Sequence, residues 1–215
     1  MHFLKIKSTV SLGLCLVLIL GGCRTWDGSF IKPSVDPLQP KMLTLELKLE
    51  DFQTANSIGN NSMDYRLNDG LLLFTREAEE NLMDPFGDKY GTLSLKTNLV
   101  DARFGIGNLL LSSMLFTIPN LLGFPFMKIR YKLAAEVRIT DSNKKLIGIY
   151  QGTGDSNVTV AYYYGYPLWN SAADRKAYSD ALNKAFSIIR SKIRAEAETI
   201  NKKLQTAGPV VKKQE

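Results

Sequence analysis

Alternation of apolar and polar positions divides most of this chain into strands, and one long helical stripe closes it. In "MLTLELKLE" (Met42–Glu50), Leu43, Leu45, Leu47 and Leu49 face one way and Thr44, Glu46, Lys48 and Glu50 the other, which predicts a half-buried strand. A polar loop with Gly59, Asn60 and Asn61 follows. "NDGLLLFTREAEENLM" predicts a helix with Leu71, Phe74, Ala78 and Leu82 on one side and acidic residues on the other. "GTLSLKTNLVDARF" alternates through Leu93, Leu95, Thr97 and Leu99. "KIRYKLAAEVRITD" puts Ile129, Tyr131, Leu133, Ala135, Val137 and Ile139 on one face. Turn residues at Asp141–Lys145 make "LIGIYQGTG" the expected hairpin partner, and "NVTVAYYYGY" reads as the next strand, with Val158, Val160, Tyr162 and Tyr164 together. Ser171 with Asp174 three residues later suits a helix N-terminus. From there Ala177, Ala181, Ala185, Ile188, Ile189, Ile193, Ala197, Ile200 and Leu204 form an apolar stripe whose small residues permit close approach to a sheet. The order β-α-β, apolar insert, β-β-β-α predicts an α+β fold: a mainly antiparallel sheet covered by a long C-terminal amphipathic helix and a shorter one.

The insert breaks this pattern. "FGIGNLLLSSMLFTIPNLLGFPFM" (Phe104–Met127) carries no charge. A membrane-spanning helix needs about 20 apolar residues to cross roughly 30 Å. Pro119 stops a regular helix begun at Phe104 after about 15 residues, or roughly 22 Å, and Gly105, Gly107, Asn108, Asn120 and Pro125 weaken it further. A span here would also put the first and last strands on opposite sides of a membrane. Two readings stay open. One is a short helix ending near Pro119 and a buried loop capping the core. The other is an exposed surface that dips into a bilayer or docks on an integral partner, with Leu110, Leu115, Phe116, Leu121, Leu122, Phe124 and Phe126 as its contacts. Lys128, Arg130 and Lys132 follow on one strand face, which suits lipid headgroups and equally a solvated surface.

At the N-terminus, Lys5 and Lys7 precede an apolar stretch, Val10–Leu20, and then Gly21, Gly22 and Cys23, the layout of a secretory signal. The run Leu20-Gly21-Gly22-Cys23 resembles the bacterial lipobox. That resemblance implies cleavage before Cys23, diacylation of its sulfur with palmitate-type chains, and acylation of the new N-terminus. Two or more chains hold a protein on a bilayer essentially permanently. Arg24 stands where an aspartate would imply inner-membrane retention, so by resemblance the outer membrane, facing the periplasm, is favoured. The expected organisation is a signal peptide (1–22), a lipidated cysteine and proline-containing tether (23–41), a single α+β domain (42–205) with its insert (104–127), and a flexible tail (206–215). Pro33, Pro37 and Pro40 stiffen the tether, which reaches at most roughly 60 Å.

Inventory narrows the chemistry. Cys15 and His2, the sole histidine, leave with the signal, and Cys23 is the lipidation site. The mature chain then has no disulfide, free thiol or imidazole, which excludes Cys/His zinc sites, Cys–His nucleophiles and Ser-His-Asp triads. Carboxylate chemistry around Asp155 or Asp174 remains, without a recognisable spacing. No catalytic residue, metal or cofactor is expected. Without Lys5 and Lys7 the net charge is +4, which suits anionic headgroups, while nucleic acid is no partner for an exported lipoprotein. In "AYYYGYPLW", Tyr163, Tyr166 and Trp169 are candidates for a saccharide-stacking platform, although strand propensity and core packing also account for such rings.

"DSNKKLIGIYQGTG", "NVTVAYYYGY" and "AADRKAYSDALNKAF" together resemble, in layout, the C-terminal half of small α+β envelope lipoproteins: auxiliary lipoproteins of lipid-transporting ABC systems, YajG-like lipoproteins and the soluble part of the curli-secretion channel. The likeness covers about a third of the chain and departs from those groups in the apolar insert and the tyrosine run. It implies a non-enzymatic, membrane-anchored accessory or assembly component of the cell envelope with an envelope protein partner. The alternative is a lipoprotein that binds saccharide or cell wall through the Tyr/Trp cluster.

Overall fold

Each alternating segment lays its apolar edge on one side of a single sheet. A computed structural model describes residues 31–53, 61–115, 117–162, 166 and 172–211. The strands are β1 (Glu46–Gln53), β2 (Gly91–Gly105), β3 (Met127–Asp141) and β4 (Leu146–Val160), paired in the order β1-β2-β3-β4. β1 runs parallel to β2, and the other pairs are antiparallel. The parallel pair requires a crossover, and α1 (Asn61–Glu77) supplies it, continuing as a π-helical turn over Ala78–Leu82. Two short helices, α2 (Gly107–Met114) and α3 (Ile118–Leu121), make up the insert between β2 and β3. α4 (Ala172–Ala207) ends the fold. The expected α+β architecture is therefore observed.

The core lies between the sheet and the two long helices. Leu93, Leu95, Leu133, Val137 and Ile139 point into it from the strands, Leu73 and Phe74 from α1, and Phe186, Ile189 and Ile193 from α4. Every member of the predicted α4 stripe is buried except Ile188.

Three local features depart from the sequence expectation. First, "LIGIYQGTG" and "NVTV" are one strand, and among the described residues the sheet has four strands. Gly152 and Gly154 do not turn the chain: they remove side chains where α4 lies directly on β4. A Cβ on Gly154 would sit 1.8 Å from the carbonyl oxygen of Ala181, and one on Gly152 would sit 2.3 Å from that of Ala185. Second, Leu71 is exposed and Leu73 takes the inward position. α1 is wedged between sheet and α4, so a wide arc of it is covered, including the acids Asp69 and Glu77, which meet Arg175 and Arg190.

Third, from Ile31 onward the proline-containing segment is a strap bound to the domain. Ile31 and Leu38 are buried. Arg190 Nη1 donates to the carbonyls of Ser34 (2.9 Å) and Asp36 (3.1 Å). Asn183 Nδ2 donates to the carbonyl of Lys32 (3.2 Å) and Asn201 Nδ2 to that of Lys41 (2.9 Å). The strap thus follows α4 from Asn201 back to Asn183, about 27 Å at 1.5 Å per residue. Followed toward lower residue numbers, it heads for the N-terminal end of α4.

Candidate functional site

That end of the molecule carries the insert. β2 runs out at Gly105 and β3 begins at Met127, so α2 and α3 project beyond the sheet. α2 ends at Met114. Thr117, in a left-handed conformation (φ 63°), turns the chain into α3, where Pro119 in the first turn has no N–H to satisfy.

The polarity of this insert is inverted. Between Phe104 and Pro125 the fully buried side chains among the described residues are Ser112 and Asn120. The Nδ2 of Asn120 donates to the carbonyl of Phe124 (2.9 Å) and folds the tip back on itself. The outside is apolar: Leu122 is 84% exposed, Met114 77%, Ile118 58% and Leu110 57%, with Leu111, Leu115, Leu121 and Phe124 also exposed. Each such half-exposed side chain gains roughly 1 kcal/mol on leaving water, and single-chain soluble domains seldom leave this many together uncovered. Among the described residues no helix is long and apolar enough to cross a membrane.

Cations border the apolar tip on the outer face of the sheet. Arg103 pairs in register with Arg130, and Gly105 with Lys128. These residues, with Phe104, Gly107 and Asn108, surround an open depression of about 630 Å³. Asp101, one rung further from the tip, is 2.7 Å from Arg103.

On the inner face a polar network fastens the same end. Asp174, in the first turn of α4, accepts from the hydroxyls of Tyr65 and Tyr131, and from Arg66 Nη2 at 3.1 Å. Arg66 also donates to the Tyr131 hydroxyl (2.6 Å). Burial, and then the Asp174 carboxylate, push both tyrosine hydroxyls well above their usual range. Nearby, Arg175 pairs with the buried Asp69. α1, β3 and α4 are thereby joined immediately beneath the insert.

The residues singled out by sequence fall into three groups. Leu110, Leu115, Leu121, Leu122 and Phe124 lie together on the exposed tip, whereas Phe126 is a core residue, 3% exposed, with its ring edge-on to Tyr162 at 4.7 Å. Tyr166 is 6% exposed, its backbone bridged to Val160, so its ring is no open stacking surface. Cys23, Phe116, Tyr163 and Trp169 lie outside the described residues. Asp155 is on the exposed face of β4, 3.6 Å from Lys184, whereas the Asp174 carboxylate is taken up by the tyrosine hydroxyls and Arg66 on the inner face. Sequence reasoning missed Arg103 and Arg66. The cross-strand register that sets Arg103 opposite Arg130 was the signal that would have found the first. Compared with known protein families and with characterised proteins, the chain matches none.

Proposed function

We propose that this chain is a lipid-anchored, non-enzymatic lipoprotein of the bacterial cell envelope, an accessory or assembly component that meets the membrane end-on through its apolar insert. The inverted polarity of the insert carries this reading: leucines outside, serine and asparagine inside, at the end toward which the strap leads. Chain length agrees. From Lys32 back to Cys23 the chain reaches about 30 Å when extended, whereas from Asn183 to the start of α4 is about 16 Å. A lipidated Cys23 and the insert can therefore occupy one bilayer surface together. Arg103, Lys128 and Arg130 supply charge complementary to anionic headgroups beside the tip.

The test is acylation in the cell. The full chain, expressed in a bacterium fed a clickable palmitate analogue, is expected to incorporate label and fractionate with the envelope, and Cys23→Ser to lose the label. An unlabelled chain released freely into the periplasm would overturn the anchored reading.

A further inference from the structure

We infer that the depression between Arg103, Lys128 and Arg130 is a binding site for the phosphate of an anionic phospholipid headgroup, seated while the adjoining insert enters the acyl region. This rests on the end-on membrane reading and gives it a ligand class.

The register is the first observation. Directly opposed cross-strand residues on one face lie about 5 Å apart at Cβ, and like charges placed so are destabilising. Arg103 opposite Arg130 is such a pair, with Lys128 next along the same face. Asp101 offsets part of this from the side of Arg103 away from the tip. An anion between the guanidiniums converts the repulsion into charge-assisted hydrogen bonds, with arginine's fork suited to two phosphate oxygens. Space is the second observation. Lys128 faces Gly105, so no side chain projects opposite it, and the floor of the depression is backbone. Depth is the third. The cationic rung lies at the root of the insert, where headgroups stand when the exposed leucines are among acyl chains, and Phe104 borders both. A soluble phosphate would satisfy the arginines equally, but would leave the apolar tip in water. The two features together select a lipid.

Binding to vesicles tests this. The chain Arg24–Glu215 contains every described strand and helix and the whole core cluster, so it keeps the fold without an acyl anchor. Its affinity is measured for phosphatidylcholine vesicles and for vesicles containing a third phosphatidylglycerol, with the variant Arg103→Gln/Lys128→Gln/Arg130→Gln alongside. The parent is expected to prefer the anionic vesicles, and the variant to lose about fivefold per charge removed there while keeping its weaker binding to phosphatidylcholine. Thermal melting without lipid guards against a folding defect: Arg130→Gln is expected to melt no lower than the parent, since it relieves a like-charge pair. Equal anionic preference in parent and variant overturns the headgroup site but leaves end-on docking standing. Absence of binding to either vesicle by the parent overturns docking as well. Stabilisation of the parent by inorganic phosphate alone, with no vesicle preference, identifies a soluble-anion site and also overturns the proposal.

Discussion

Gly154 and Glu77 show how much of this fold depends on single positions. With its Cβ directed at a helix carbonyl 1.8 Å away, alanine at 154 must lift α4 from β4. Gly154→Ala is expected to cost about 3 kcal/mol in urea unfolding. Gly107→Ala, at the start of α2 with nothing within 4 Å of the new methyl, should stay within about 0.5 kcal/mol of the parent. Glu77 is buried against Arg190 (3.0 Å), and its other carboxylate oxygen accepts from Asn81 (2.6 Å). Burial, against the pull of Arg190, pushes its carboxyl from 4.5 up to about 7. The folded protein therefore holds this proton more tightly than the unfolded chain does. The stability it contributes is complete below about 4.5 and is lost as pH rises through about 7, at most about 3 kcal/mol. Urea midpoints measured from pH 5 to pH 8 should show this decline, and Glu77→Gln should flatten it. Nothing near Glu77 in the sequence discloses this, because "REAEE" has the composition of a solvated face and the covering Arg190 comes from a distant helix.

At the scale of elements, what could be read in advance was what short-range periodicity controls. Leu93, Leu95, Thr97 and Leu99 alternate because their strand has one covered face, and the α4 stripe repeats because one helix face meets the sheet along its length. The single long β4 was hidden, since glycines that admit a helix look the same in sequence as glycines that turn a chain. The insert was legible in part: the exposed reading named Leu110, Leu115, Leu121, Leu122 and Phe124, but an uncharged run fits a buried cap as well until its small polar residues are found inside it. The element under α2 and α3 also makes a sharp prediction. Asp174→Ala strands Arg66 and removes the acceptor of two tyrosine hydroxyls, so it should cost about 3 kcal/mol by chemical denaturation. Leu122→Asn and Met114→Gln, in contrast, exchange exposed side chains and should each change stability by less than about 0.5 kcal/mol. A large loss in the latter pair would mean that the tip packs against the domain.

For the whole molecule, the proposed end-on docking gives the two ends of the sheet different surroundings. The N-terminal end of α4, the apolar tip and its cations gather at one end, toward which the strap leads along α4. The β3–β4 turn occupies the other, where Asp141 Oδ1 accepts from the backbone N–H of Asn143 and Lys145 (both 2.8 Å), and Ser142 Oγ donates to the last carbonyl of α4 (3.1 Å). That orientation on a bilayer is measurable in the full chain in bacterial envelopes. Single cysteines placed as Leu122→Cys and Asn143→Cys are challenged with a membrane-impermeant maleimide after the outer barrier is opened. End-on docking predicts rapid labelling at 143 and protection at 122 that detergent abolishes. Equal labelling at both positions before detergent would contradict it.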